Sequence, residues 1–324
     1  MNILKRKKDV DFIFASSSVN VRNNKCPLSD TIEKALVADD YNAAMRVFYE
    51  SGLALEGEDF TTALDKKTDE LYDFLNEIGG SDCAPIISFL KIKHDVLILK
   101  SAIKSFVFNQ IQLDETPTDF SVAVDAMVRD NNFSPLLNPV LITAAEKALE
   151  DSTSSQDPQT IDFILDKALF ECRSEIAENS GIKYLLKLNQ ADIDTKNLCA
   201  IFRIKRLGIS VFTAKELLYQ GGNIKPDDIL LLLSEPEKSI YALRKTAYGD
   251  IYKELIEASA SPSECEIAFN RFYFNLLETA QNITYGAEKV IAYAVLYEKK
   301  VRDLRMILTG KKVGISPEKI KERL

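Results

Sequence analysis

Along most of the chain, apolar residues recur every three or four positions with charged residues between them, and no strand-length run of alternating residues appears. This pattern predicts an all-α protein. Its longest helices are expected over roughly 85–108, 182–206 and 287–309, with shorter ones over 29–37, 40–51, 59–78, 119–130, 138–150, 159–179, 226–233, 236–257 and 263–284. Asp157-Pro158, Ser261-Pro262 and Ser316-Pro317 each set a capping oxygen before a proline suited to the first helical position. Ser261 with Glu264 and Thr213 with Glu216 have capping-box spacing, so helices should start near 158, 214, 262 and 317. The last long helix is expected to end at Gly310, with Lys311 and Lys312 at its negative end. Adjacent carboxylates at Asp39-Asp40 and Asp227-Asp228 are expected at helix N-termini.

One pattern occurs three times. Asp95-Val-Leu-Ile-Leu99-Lys-Ser-Ala-Ile103, Asp194-Thr-Lys-Asn-Leu198-Cys-Ala-Ile-Phe202 and Lys300-Val-Arg-Asp-Leu304-Arg-Met-Ile-Leu308 each carry a charged residue four positions before a leucine and an apolar residue four beyond it. Leucine and apolar residue then stack on one helical face. The copies lie 99 and 106 residues apart. A second block, Leu64-Asp65-Lys66 up to Gly79-Gly80 and Leu165-Asp166-Lys167 up to Gly181, precedes the first two copies; its third counterpart, Phe269 to Gly286, has no Leu-Asp-Lys. The offsets divide the chain into three diverged helical repeats, 1–112, 113–214 and 215–324. Linkers are expected at Asp114-Glu-Thr-Pro-Thr-Asp119 and between Phe212 and Asn223, and an exposed loop at Asp151–Pro158.

Composition narrows the class. With 324 residues, 46% of them hydrophobic, and only 12 glycines and 10 prolines, the chain can bury two or three cores. No apolar run reaches the roughly 18–20 residues of a membrane span. Lys5-Arg6-Lys7-Lys8 and the short apolar stretch after it, interrupted by Asp11, do not make a signal peptide, and the four cations are expected to be solvated. Five widely spaced cysteines without a CxxC fit reduced core thiols. A net charge of −8 argues against nucleic acid as a partner. It also argues against direct adsorption to an anionic leaflet, where each negative charge costs on the order of 0.7 kcal/mol, so any membrane contact should run through protein partners.

Candidate chemistry is sparse. A single histidine, His94, removes His-based triads and multi-histidine metal sites. Gly79-Gly80, Gly221-Gly222 and Gly310-Lys311-Lys312 lack the spacing of a phosphate-binding loop and fit helix ends and turns. No catalytic, cofactor-binding or metal site is assigned, and no cofactor or small-molecule substrate is expected. The cations that recur with the repeat, Lys100 and Lys104, Arg203, Lys205 and Arg206, and Lys299, Lys300, Arg302 and Arg305, are either solvated faces or docking positions on a partner.

Four stretches resemble a known family: Asp11-Phe-Ile-Phe-Ala-Ser-Ser-Ser-Val-Asn-Val-Arg22; Ala38-Asp-Asp-Tyr-Asn-Ala-Ala-Met-Arg-Val-Phe-Tyr-Glu-Ser-Gly52; Asp192-Ile-Asp-Thr-Lys-Asn-Leu198 with Phe202-Arg203 and the later Gly221-Gly222; and Tyr297-Glu-Lys-Lys-Val-Arg-Asp-Leu-Arg305. Together they resemble the C subunit of the bacterial and archaeal V/A-type rotary ATPases, related to the d subunit of the eukaryotic vacuolar enzyme. The resemblance implies three related helical bundles arranged as a funnel with a central cavity. It also implies a non-catalytic component on the cytoplasmic face of the membrane, which docks the central-stalk subunits onto the rotor ring and couples ATP hydrolysis or synthesis to proton or sodium transport. Arg203, Lys205, Arg206, Lys300, Arg302 and Arg305 are then candidate interface residues. The repeat signature comprises Asp95, Leu99, Asp194, Leu198, Glu298 and Leu304. Lys300 departs from it, and Glu298, which matches Asp192 when the leucines are aligned, is expected to take over the acid's role. The alternative function is a cytosolic helical-repeat scaffold that binds protein partners in its concave face.

Overall fold

The computed structural model describes residues 7–108, 119–136, 138–234 and 243–324. Among them there is no strand. In chain order the helices are α1 (Ile13–Lys25), α2 (Leu28–Val37), α3 (Tyr41–Glu50), α4 (Phe60–Gly79), α5 (Ala84–Phe108), α6 (Asp119–Asp130), α7 (Pro139–Ser155), α8 (Pro158–Ser180), α9 (Lys183–Leu207), α10 (Val211–Glu216), α11 (Pro226–Ser234), α12 (Gly249–Glu257), α13 (Pro262–Gln281), α14 (Ala287–Lys312) and α15 (Pro317–Lys321). The three motif helices α5, α9 and α14 fall where the periodicity predicts them.

The chain divides into two compact units, whose described parts are residues 89–108, 119–136, 138–234 and 243–276, and 7–88 with 277–324. In the second unit α14 packs against α1, α2, α3, α4 and α15. Contact on so many sides requires apolar residues all round a helix, and α14 buries Val290, Ile291, Tyr293, Leu304 and Leu308 on different faces. The other unit holds two cores. One joins Val96, Leu99 and Ile103 of α5 to Val124 of α6, Leu141 and Ala145 of α7, and Leu165 and Cys172 of α8. The other joins Leu198 and Phe202 of α9 to Ala214 of α10, Ile229 of α11, Tyr252 of α12, and Cys265 and Phe269 of α13. Each motif helix is therefore cored by helices that follow it in sequence, except α14, which is cored by the helices at the start of the chain.

Local signals set most helix ends. At α13, Glu264 N donates to Ser261 Oγ at 3.3 Å while Ser261 N donates to the Glu264 carboxylate at 2.7 Å, a reciprocal capping box. Asp40 caps α3 by accepting from Ala43 N at 2.7 Å, and Asp227 and Asp228 lie in the first turn of α11. Four expectations are corrected. Helix α10 starts at Val211 rather than 214, because Ser210 takes the cap and its Oγ accepts from Thr213 N at 3.2 Å. The helix expected over 236–257 is interrupted: Leu243 is helical, residues 244–248 form a turn closed by Thr246 N donating to Leu243 O at 2.8 Å, and Gly249 opens α12; residues 235–242 lie outside the described residues. The polar run Asp151–Ser155 is not a loop but the last turn of α7, where Thr153 Oγ1 and Ser154 Oγ donate to the carbonyls of Leu149 and Glu150. Finally, α14 does not stop at Gly310. That glycine is buried within the helix, and a Cβ there would lie 2.8 Å from Ile320 Cδ1, so its absence lets α15 close against α14. The expected linker at 114–119 lies, up to Thr118, outside the described residues, as do Lys5 and Arg6; Lys7 forms an ion pair with Asp82.

Candidate functional site

The second motif copy organises a loop. Asp194, fully buried on α9, accepts from Ile224 N at 3.0 Å, from Asn223 N at 3.2 Å and from Asn223 Nδ2 at 3.1 Å. One turn along the same face, Asn197 donates to Tyr219 O and accepts from Tyr219 N, both at 2.8 Å. Two side chains thus hold the backbone of 219–224, the segment carrying Gly221-Gly222, so the motif and the glycine pair form one feature. Burial raises the Asp194 pKa above the ordinary carboxylate value, against the lowering effect of these hydrogen bonds. Asp95, on α5, is half-buried and its pKa is likewise raised by burial. Leu99, Leu198 and Leu304 are all fully buried.

In the third copy Glu298 accepts from Tyr72 Oη at 2.6 Å, whereas Asp192, which aligns with it, pairs with Arg173 Nη1 at 3.2 Å. Arg173 is 4% exposed, donates from Nε to Phe89 O at 3.2 Å, and lies over the Phe89 ring at 4.3 Å. Both aligned acids tie a motif helix to a neighbour, through different donors. Asp303 is buried and paired with Lys299; burial raises its pKa, and the Lys299 hydrogen bond opposes that shift.

The recurring cations show a pattern of their own. Lys100 on α5 pairs with Asp166 on α8 at 2.7 Å, and Lys104 pairs with Asp162 at 2.7 Å. Arg203 on α9 pairs with Glu266 on α13 at 3.0 Å, and Arg305 on α14 pairs with Asp65 on α4. Asp65 and Asp166 are the acids of the two Leu-Asp-Lys blocks, and Glu266 lies 100 residues beyond Asp166. Just ahead of the third block, it supplies the carboxylate that the residue letters hide. Each motif helix is thus clasped to the block helix that belongs to its core.

Among the six candidate interface residues, Arg203 and Arg305 are engaged in these pairs. Lys205, Arg206 and Arg302 are exposed, and Lys300 is half-buried. A cleft of about 200 Å³ opens between α8, α9 and α13 beside the Arg203–Glu266 pair, lined also by Asp166, Lys196, Cys199 and Tyr219. Burial pushes the Cys199 thiol up to about 12, so it is protonated at neutral pH and is a poor nucleophile. Among the described residues no group of three or more His, Cys, Asp or Glu is arranged to hold a metal ion, and no helix is long and apolar enough to cross a membrane. All five cysteines are free, four of them buried.

Sequence reasoning missed Asn197, Arg173 and Asp303. Asn197 was detectable, because the spacing Asp194-x-x-Asn197 puts two polar groups on one helical face next to a buried leucine. Arg173 gives no such signal, since its partners come from distant positions.

These features define an all-helical protein in which three long helices each thread a core built by other segments. Residues 29–323 match the family model ATP synthase (C/AC39) subunit, and the chain belongs to that family. It is 25% identical over 146 residues to the A-type ATP synthase C subunit of Methanosarcina barkeri, a match covering 44% of this chain and 40% of that protein. It is 27% identical over 135 residues to the A-type ATP synthase C subunit of Pyrococcus abyssi, covering 40% and 36%. These matched stretches span less than half the length of either archaeal relative. The V-type sodium ATPase C subunit of Enterococcus hirae is 23% identical over 272 residues, 82% of each chain.

Proposed function

We propose that this protein is a non-catalytic central-stalk component of a V/A-type rotary ATPase. It docks the stalk subunits onto the membrane rotor ring from the cytoplasmic side and couples ATP hydrolysis or synthesis to proton or sodium transport. The observation that carries this proposal is the family match over 29–323, together with the likeness to a V-type sodium ATPase C subunit across 82% of both chains. The physical character of the chain supports it. A torque-bearing adaptor needs stiff, well-anchored helices and no cofactor, and here helices of 25, 25 and 26 residues are each clasped by a charge pair. Residues 1–112, 113–214 and 215–324 are proposed as three equivalent units; the recurrence of Asp65, Asp166 and Glu266 at near-constant offsets supports that division. Of the candidate interface cations, exposed Lys205, Arg206 and Arg302, with half-buried Lys300, are proposed to meet a partner, while Arg203 and Arg305 serve the clasps.

The experiment is ATP-driven ion uptake by vesicles reconstituted with the rotary enzyme, with and without this protein, and ATPase rates on the same samples. Omission should abolish uptake while hydrolysis by the head persists. Equal uptake in both preparations overturns the coupling role.

A further inference from the structure

The end of α9 and the start of α10 form a rigid corner with an unusual surface. Gly208, at φ 66°, ends α9, and Ile209 N donates to Ile204 O at 3.1 Å, closing the last turn. Ala214 and Leu218, at 0% and 1% exposure, fix the following segment into the core. Despite this anchoring the corner holds Leu207 72%, Val211 43% and Phe212 84% exposed, and Phe212 is the most exposed large apolar side chain among the described residues. Burying a leucine or phenylalanine is favourable, a gain this corner forgoes in the free chain. Exposed Lys205 and Arg206 flank it on α9, and Lys215 beyond it pairs with Asp227 at 3.0 Å.

We infer that residues 205–212 are a docking corner for a protein partner presenting an apolar pocket rimmed by carboxylates. Phe212 and Leu207 fill the pocket, and Lys205 and Arg206 meet its negative rim. Charge complementarity selects the occupant: the corner is locally cationic on a chain of net charge −8, so it suits an acidic protein surface that meets only this corner. A planar anionic membrane would confront the acidic remainder as well, and α10, with six residues, is too short to lie in a bilayer interface as an amphipathic helix. Aromatic side chains such as Phe212 are also enriched in the buried core of protein–protein interfaces, with charged residues at the rim.

This inference rests on the rotary-ATPase proposal for its choice of probes, which are the purified rotor ring and, separately, the purified central-stalk subunits. Equilibrium binding is measured for the wild type, Leu207→Ala/Phe212→Ala, Lys205→Glu/Arg206→Glu and Leu55→Ala, the last removing an isolated leucine that is 78% exposed. Every substituted position faces solvent, and circular dichroism and melting confirm that each variant folds. The apolar double variant should bind one of the two probes about 30-fold more weakly. The charge reversal should weaken the same complex, increasingly so as salt is lowered, and Leu55→Ala should bind like wild type. The chain has no tryptophan, so Phe212→Trp provides a single tryptophan whose emission should shift to the blue in that complex. Wild-type binding with an unaffected apolar double variant overturns the corner and leaves the rotary proposal standing. Binding to phosphatidylglycerol-containing vesicles but to neither protein overturns the protein occupant. A wild type that binds neither probe nor vesicles overturns the rotary proposal and the corner with it.

Discussion

Asp194 and Gly222 are mutually fitted: a Cβ on residue 222 would lie 2.2 Å from Asp194 Oδ1, inside any permissible contact. The carboxylate can reach the amides of Asn223 and Ile224 only because residue 222 has no side chain. Gly222→Ala should therefore destabilise the chain by about 1–3 kcal/mol, as an overpacked core does. Asp194→Ala should cost a similar amount by leaving those two amides without their acceptor. Because both substitutions break the same contact, their double variant should cost less than the sum of the two. Urea unfolding of the three variants tests this; additivity would mean that carboxylate and loop act independently.

The three charge clasps differ in burial and should differ in worth. Lys100 and Asp166 are 11% and 31% exposed at their side chains, against 55% and 45% for Arg203 and Glu266. An exposed pair contributes about 0.2–1 kcal/mol, so Arg203→Met should barely move the unfolding midpoint. Lys100→Met should cost more, about 3 kcal/mol, because it leaves Asp166 partly buried without its cation. Double-mutant cycles on both pairs give the coupling energies, and equal values would show that burial does not govern these clasps.

The limits of the sequence are visible in particular residues. The periodicity predicts α5 over 85–108 and the helix spans Ala84–Phe108, because a long helix writes its period many times over. Local chemistry is equally legible at Ser261 and Glu264. The Lys100–Asp166 pair is not, since nothing in the spacing of two residues on separate helices says that they meet. Nor does Gly310 reveal itself as a packing glycine: a glycine followed by two lysines reads as a helix end until the neighbour that presses on it, Ile320, is known. Glu266 is hidden for another reason, because the repeat keeps the charge there and not the letters around it.

Burial places a sign on the pH dependence of stability. The Asp303 carboxyl holds its proton more tightly in the folded chain than at its ordinary value of 3.8, despite the opposing Lys299 hydrogen bond. Its contribution to stability is therefore full below 3.8 and is lost as pH rises through the raised folded-state value. Asp194 and Asp95 shift in the same direction. Asp303→Asn cannot titrate, so the wild type should lose stability relative to this variant as pH rises from 3.8 towards neutrality. Melting temperatures of both proteins across that range test the sign, and a wild-type-minus-variant difference that stays constant or increases with rising pH would contradict it.

Leu99, Leu198 and Leu304 are 1%, 0% and 0% exposed and hold the same place in the three motif copies. If the three segments are equivalent units, replacing each leucine by alanine removes the same contacts from a similar core. Each variant should then lose about 2–5 kcal/mol, with the values close to one another. Leu99 and Leu198 belong to cores that share no residue, so the double variant Leu99→Ala/Leu198→Ala should show the sum of the single effects within about 0.5 kcal/mol. Urea unfolding followed by circular dichroism measures all four. One leucine costing far less than the other two would remove its segment from the set of equivalent repeats, and a strongly non-additive pair would mean that the two cores are energetically coupled.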